Sequence, residues 1–203
     1  MNKQAAQSVK SETASHILEV AERLAQTRGF NGFSYADIAA ELKITKASLH
    51  YHFATKAELG CALIVNYTGR FNDALAKLDV DKSRLALHNY VQLYEQVLVR
   101  DRMCLCGMLA AEYSTLPSPM QREIRHFFDE NETWLSQCME RGRSDGSLHF
   151  DGSVLEAARA LTAGLEGAML LARSYEDPAR FTSIAKRLLA ELGVARPRRR
   201  ANR

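Results

Sequence analysis

Apolar residues recur at spacings of three and four along nearly every long segment of this chain, and convincing alternating strand patterns do not occur. The first of these segments, Ser11–Gly29, places Ile17, Ala21 and Leu24 on one stripe. A stripe of this kind is typical of a helix that packs one face against a core. We therefore predict an all-α fold of about nine helices.

Three short helices are predicted next, because each has a side chain suited to the N-cap position at its start. These N-cap residues are Ser34, Thr45 and Thr55. The turn Leu42–Ile44 joins the second and third helices, and Leu49 faces inward from the third. Two short helices joined by a tight turn and packed on a longer first helix form the helix-turn-helix pattern.

The third helix and the turn after it, Ile44–Lys56, read ITKASLHYHFATK and carry many hydrogen-bonding side chains. With Leu49 inward, Lys46, Ala47 and His50 share the outer face. An exposed face with such donors suits the major groove of DNA, and Ala47 is small enough to let the helix approach the base edges. The residues that flank this face are Ser48, Tyr51 and His52.

Three other interpretations of these side chains remain open. On a helix, His50 and His52 point about 200° apart, which disfavours a shared metal ion. Ser48 and His52 are four residues apart and could hydrogen-bond, but no orienting acid for a nucleophile is evident. The side chains could also form a solvated polar face.

The stretch GFNGFSYADIAAELKITKASLHYHFATKAEL resembles the DNA-binding segment of the TetR family of repressors. The positions that match the family motif in order are Gly29, Phe30, Ile38, Ala39, Lys46, Ser48, Leu49, Tyr51, His52, Phe53, Lys56 and Leu59. The resemblance implies a ligand-responsive transcriptional regulator, usually a repressor. Such a protein binds palindromic double-stranded operator DNA as a homodimer and is released by a small-molecule inducer, here an apolar or electrophilic one.

The same resemblance assigns individual contacts. It implies base contacts from Lys46, Ala47 and His50. It implies phosphate contacts from Ser48, Tyr51, His52 and Lys56, and a further backbone contact from Tyr35. Lys43, Ala47 and His50 depart from the residues that the family often has at these positions (Gly, Gly and Tyr), so relatives do not supply the operator sequence.

Flexible and aromatic apolar residues in the middle of the chain predict a ligand pocket, because such residues suit adaptable apolar sites. The predicted ligand-binding residues are Met103, Cys104, Cys106, Met108, Leu109, Tyr113, Phe127, Trp134 and Met169. Ordinary core packing is the alternative for each of them.

Small and apolar residues form stripes on the last two helices, which fits a four-helix interface with a second copy of the chain. The predicted interface residues are Leu161, Gly164, Leu165, Ala168, Ala172, Ile184 and Leu188. Internal core packing is the alternative. In the TetR family these helices form the dimer interface, so the resemblance favours the first interpretation.

Cys104 and Cys106 lie near Arg100 and Arg102, close to the start of a predicted helix. Nearby cations and a helix N-terminus favour the reactive thiolate. A second functional hypothesis is therefore a redox or electrophile sensor that acts through these two cysteines. The alternatives are buried apolar thiols and, less favoured, a metal ion held by the pair.

The chain has 203 residues and a net charge of +3, so its composition alone does not indicate nucleic-acid binding. It lacks a secretory signal and any run of roughly 18 apolar residues, so we expect a cytoplasmic protein without membrane contact. No catalytic constellation or phosphate-binding loop is evident, so we expect neither enzymatic activity nor a cofactor. A helical enzyme and a protein-only adaptor remain as alternatives from other classes.

The expected organisation has three parts. Residues 1–58 form the DNA-binding domain, residues 59–195 the ligand-binding and dimerisation domain, and residues 196–203 a basic, disordered tail. Lys3 and Lys10 in the N-terminal arm are further candidates for phosphate contact.

Overall fold

The computed structural model describes residues 3–193 of the chain, with side chains from residue 12 onward. Within this range the fold is all-α, as predicted, with nine α-helices and two short 3-10 helices at Val80–Lys82 and Tyr113–Thr115. The α-helices are α1 Lys3–Arg28, α2 Tyr35–Leu42, α3 Lys46–His52, α4 Lys56–Leu75, α5 Ser83–Leu98, α6 Leu105–Ala111, α7 Ser118–Ser144, α8 Val154–Ser174 and α9 Pro178–Glu191. No helix in the described range is long and apolar enough to cross a membrane.

Side-chain caps explain where the helices of the helix-turn-helix begin. Asp37 accepts hydrogen bonds from the backbone N–H and the hydroxyl of Ser34 at the start of α2, at 2.8 and 2.6 Å. The hydroxyl of Thr45 accepts from the N–H of Ser48 at 3.1 Å at the start of α3. Thr55 does the same for the N–H of Glu58 in α4, at 3.1 Å. The three bonds donated by backbone N–H groups satisfy donors that the helix itself leaves without a partner.

The described chain divides into two compact units. The first comprises the chain up to Asn72 together with Asp101–Phe128. Here α1 packs against α2, α3 and α6. Ile17, Ile38 and Leu49 are fully buried, so each of the first three helices supplies a side chain to one core.

The second unit comprises Asp73–Arg100 and the chain from Asp129 onward. In it α8 and α9 pack along each other, and both contact α5. A buried aromatic cluster joins α5 to α7, since the ring of Tyr90 stacks on Trp134 at 5.6 Å and the Tyr90 hydroxyl donates to Asn131 at 3.0 Å.

These units differ from the predicted division after residue 58. The helix α4 runs without interruption through that position, from Lys56 to Leu75. Residues 101–128 also belong to the unit that contains the helix-turn-helix. The predicted tail, residues 196–203, and the side chains of Lys3 and Lys10 lie outside the described part.

Most members of the predicted dimer stripe on α8 do not lie on the surface of the single chain. These residues are buried within a single protomer: Leu161, Leu165, Ala168 and Ala172. A Cβ placed on Gly164 would lie 2.7 Å from a methyl carbon of Leu188 on α9. The stripe is therefore the packing surface between α8 and α9, which explains its small residues. Ile184 and Leu188 on α9 are half-buried.

The predicted ligand-binding residues are divided between the units. The first unit holds Met103, Cys104, Cys106, Met108, Leu109, Tyr113 and Phe127, and the second holds Trp134 and Met169. Of the nine, only Met108, Tyr113 and Trp134 are half-buried and the others are buried. All four cysteines are free thiols.

Candidate nucleic-acid interface

The turn between α2 and α3 is closed by Lys43, whose φ of 54° and ψ of 40° put it in the left-handed region. The N–H of Ile44 reaches back to the carbonyl of Ala39 at 3.1 Å. A lysine at this conformation costs roughly 1 kcal/mol relative to glycine. The turn keeps its left-handed geometry although the chain lacks a glycine here.

One buried side chain sets the orientation of α3. Leu49 is fully buried, while Lys46, Ala47 and His50 are exposed on the opposite side, as predicted. Tyr51 is 69% exposed at the edge of this face. The other two predicted contact residues, Ser48 and His52, are half-buried. The helix therefore presents its polar side chains outward and uses one leucine to anchor itself.

The imidazole of His50 is held by two neighbours. Its Nδ1 lies 3.0 Å from the carbonyl oxygen of Ala54. Its ring lies 4.8 Å from the ring of Tyr35, with the planes tilted by 51°. An exposed side chain with two such contacts is oriented before it meets a partner.

Tyr35 was predicted to contact the DNA backbone, but its side chain is buried and its hydroxyl donates to the carbonyl of Phe53 at 2.8 Å. Burial, with a smaller contribution from the negative charge of Glu58, raises the pKa of Tyr35 to about 12. In this structure Tyr35 supports α3 and the ring of His50, and its one O–H donor is already used.

Lys56 was predicted to contact a phosphate, but its ammonium donates to the carbonyls of Phe30 and Phe33, each at 2.5 Å. It also lies 4.5 and 4.4 Å from the ring centroids of the same two phenylalanines. Burial lowers the pKa of Lys56, and the carboxylates of Glu112 and Asp37 oppose that effect. The ammonium therefore ties the start of α4 to the turn between α1 and α2.

Four predicted contact residues line one open groove of about 400 Å³ at the starts of α2, α3 and α4. Its lining residues are Phe33, Ser34, Tyr35, Ala36, Lys46, His50 and Lys56. The lining contains two lysines and no carboxylate, so the groove is suited to a negatively charged partner. Sequence reasoning did not identify Phe33, Ser34 or Ala36 as part of this surface, although the N-cap signal at Ser34 marked its position.

A long-range contact that sequence reasoning missed holds the turn after α1. The carboxylate of Glu112 accepts a hydrogen bond from the N–H of Phe30 at 2.6 Å, and the N–H of Asn31 lies 3.4 Å away. The side chain of Asn31 donates to the hydroxyl of Thr115 at 2.8 Å. No local motif could have indicated these bonds, because their partners are more than 80 positions apart.

Metal chemistry gains no support from the described residues. They contain no group of three or more His, Cys, Asp or Glu side chains that could hold a metal ion.

Two family models together match most of the chain. Residues 17–62 match the bacterial regulatory proteins of the tetR family, and residues 82–188 match the tetracyclin repressor-like C-terminal domain. The transcriptional repressor NemR of Escherichia coli K12 is 25% identical over 194 residues, which cover 90% of this chain and 96% of NemR.

Solved structures show the same likeness. A TetR-family regulator from Agrobacterium tumefaciens is 32% identical with a TM-score of 0.87, over 90% of this chain and 98% of the other. A structure of E. coli NemR, described as its reduced form, is 26% identical with a TM-score of 0.74, over 87% of this chain and 95% of the other.

Proposed function

The chain belongs to the TetR family of helix-turn-helix transcriptional regulators, which are not enzymes, and we propose that it is a ligand-released repressor. In this proposal a homodimer binds a palindromic operator through α3 of each protomer. The observation that carries the proposal is the outward face of α3, where Lys46, Ala47 and His50 are exposed opposite the buried Leu49. The geometry favours DNA over a protein-only partner because the adjoining groove holds two lysines and no carboxylate.

Each exposed residue has a role in the proposed complex. The third helix enters the major groove, with Lys46, Ala47 and His50 toward the base edges. The hydroxyls and imidazole of the flanking residues contact phosphates, which fixes the register of the protein on the duplex. These flanking residues are Ser48, Tyr51 and His52. Tyr35 acts indirectly, because its one O–H donor already binds Phe53. Lys56 is half-buried and uses two of its three N–H donors on Phe30 and Phe33, so its main role in the proposal is to hold the turn before α2.

The dimer face in this proposal lies on the outer side of α8. Apolar residues recur there at spacings of three and four and stay exposed or half-buried in the single chain: Ala160, Ala163, Gly167, Leu170 and Leu171. Leu170 and Leu171 are 45% and 50% exposed. A stripe of this kind is suited to a second copy of α8, since a symmetric dimer uses the same patch on both partners. Two copies of α3 then read half-sites one helical turn apart.

The inducer is proposed to be a small apolar molecule, because buried aromatic and methionine side chains, among them Tyr90, Tyr94 and Met139, occur in the second unit. The cluster of Tyr90, Tyr94 and Asn131 supplies polar groups there, with the two hydroxyls 3.2 Å apart. A few such groups in an apolar setting are typical of ligand sites.

A second candidate is sensing of an oxidant or electrophile through Cys104 and Cys106. The observation that favours it is the likeness to NemR, whose solved structure is described as a reduced form. Against it, the two residues are only 2% and 0% exposed, so a reagent reaches the thiols only after local opening. Operator release by a thiol-reactive compound from the parent, but not from a Cys104→Ser/Cys106→Ser variant, would support this candidate.

The proposed function is tested by selecting genomic fragments bound by the purified protein and measuring the affinity for the enriched site. We expect a two-fold symmetric site and a dimeric complex. Lys46→Ala and His50→Ala should each weaken binding to this site and change the base preference. Enrichment of no site, or equal binding by all three proteins, would overturn the proposal.

A further inference from the structure

The side chain of His50 combines an oriented ring with one ring nitrogen already bound. A backbone carbonyl oxygen accepts hydrogen bonds and cannot donate them. The 3.0 Å contact between Nδ1 of His50 and the carbonyl of Ala54 therefore requires the hydrogen to sit on Nδ1. Neutral imidazole carries only one N–H, so Nε2 has a lone pair and acts as an acceptor.

The peptide group next to the acceptor that fixes this tautomer is held by side chains from two other helices. The N–H of Ala54 donates to the carboxylate of Glu58 in α4 at 3.1 Å. The preceding carbonyl, that of Phe53, accepts from the hydroxyl of Tyr35 in α2 at 2.8 Å. The peptide group between Phe53 and Ala54, which directly precedes the acceptor carbonyl, is thus held through both its N–H and its oxygen, and Tyr35 also contacts the ring of His50.

The other ring nitrogen is available. His50 is exposed and lines the open groove. Among the described residues Nε2 makes no hydrogen bond. A partner that enters the groove beside α3 therefore meets a pre-oriented hydrogen-bond acceptor.

We propose that His50 is a specificity-determining residue that selects adenine or cytosine on the contacted strand of the operator. The proposal rests on the proposed function, since it assumes that α3 enters the major groove. In that groove adenine N6 and cytosine N4 carry the exocyclic N–H donors, whereas guanine and thymine present acceptors to an approaching side chain. An acceptor at Nε2 pairs with the first two bases and repels the lone pairs of the other two.

The tautomer is tested directly by NMR on the free protein. The chain contains six histidines, so His50 is assigned by comparison with a His50→Phe variant. Long-range proton–nitrogen correlations are recorded at about pH 8.5, where imidazole groups are ordinarily neutral. We expect the hydrogen of His50 on Nδ1. A hydrogen on Nε2 would overturn the inference and leave DNA binding untouched.

The base preference is tested with operator duplexes in which each base pair is varied in turn, also at about pH 8.5. The parent should prefer adenine or cytosine at one position of each half-site by roughly five- to tenfold, the effect of one hydrogen bond. His50→Phe keeps an aromatic ring against Tyr35 but has no acceptor, so it should remove the preference there. His50→Lys carries only donors and should shift it toward guanine or thymine.

The matched control is His149→Phe, which replaces an exposed histidine of the second unit and should keep the parental preference at that position. If the parent selects guanine or thymine there, or His50→Phe weakens all duplexes equally, His50 does not read this base. If the parent enriches no sequence at all, the proposed function fails instead.

Discussion

The carboxylate of Glu112 binds the N–H of Phe30 at 2.6 Å, across 82 positions of the chain. This bond joins the segment after α6 to the turn that leads into the helix-turn-helix. The same carboxylate lies near Asn31 and attracts the ammonium of Lys56, which itself binds the carbonyl of Phe30. The turn is therefore held by an anion on its N–H groups and by a cation on its carbonyls.

Replacing this carboxylate should destabilise the protein. Glu112→Ala removes a charge-assisted hydrogen bond, so we expect the free energy of unfolding to fall by about 2 kcal/mol. Urea unfolding of both proteins measures the difference. The control is Glu140→Ala, because Glu140 is exposed and has no described hydrogen bond or ion pair. Equal stability of the two variants would show that the Glu112 contact contributes nothing.

Replacing Lys56 by methionine should lower the stability of the protein, whereas the same replacement of Lys46 should leave stability almost unchanged. Lys56→Met loses two hydrogen bonds and the contact of its ammonium with two aromatic rings. The free energy of unfolding should therefore fall by about 2 kcal/mol or more. Lys46→Met changes an exposed side chain and should alter stability by less than about 0.5 kcal/mol.

Operator binding separates the two lysines as well. Lys46→Met should alter the base preference of the intact dimer. Lys56→Met should retain the base preference of any folded fraction. An equal loss of affinity for all duplexes in Lys56→Met at full stability would return Lys56 to the role of a phosphate contact.

The sequence predicted this surface well where local signals act. The starts of three helices are fixed by local hydrogen bonds at the caps Ser34, Thr45 and Thr55. The burial of Leu49 orients α3, so the outward face of this helix follows from residue spacing. Lys56 and Glu112 could not be assigned in this way. Their partners are brought close only by tertiary packing, and an isolated lysine near a helix start has the same pattern whether it binds phosphate or a carbonyl.

The position of the dimer stripe could not be derived from the sequence for a different physical reason. The helix α8 carries small and apolar residues on two of its faces, one around Leu165 and the other around Gly167. Periodicity identifies both faces but does not tell which one packs on α9. Only the structure distinguishes them, through the burial of Leu165 and the open space beside Gly167.

Two glycines on α8 test this distinction. A Cβ on Gly164 meets Leu188 at 2.7 Å, whereas a Cβ on Gly167 meets no atom within 4 Å. Gly164→Glu should therefore destabilise the protomer by about 3 kcal/mol or prevent folding. Gly167→Glu should fold as the parent does but sediment as a monomer and bind the operator weakly. A dimeric Gly167→Glu protein would place the interface elsewhere.

Tyr35 makes the stability of the folded protein depend on pH in the alkaline range. Its pKa rises from 10.0 to about 12 on folding, so the unfolded chain loses the phenolic proton first. The contribution of Tyr35 is therefore complete below about pH 10 and is lost as the pH rises toward 12. Tyr35→Phe should lower stability by about 1 kcal/mol at neutral pH through loss of the bond to Phe53.

Urea unfolding between neutral pH and about pH 12 measures this effect. The stability difference between parent and Tyr35→Phe should shrink as the pH rises above 10. The phenolate absorbance of Tyr35, taken as the difference between the two proteins, should appear only near pH 12. A phenolate already formed near pH 10 would contradict the burial of this hydroxyl.

The anchoring of α3 by Leu49 separates what folds the helix from what it recognises. Lys46, Ala47 and His50 contribute little to the core, so each can be exchanged at small cost in stability. After duplication of its gene, one copy of such a regulator could acquire a new operator through a few changes on this face. The two copies would then control separate genes while keeping the same scaffold.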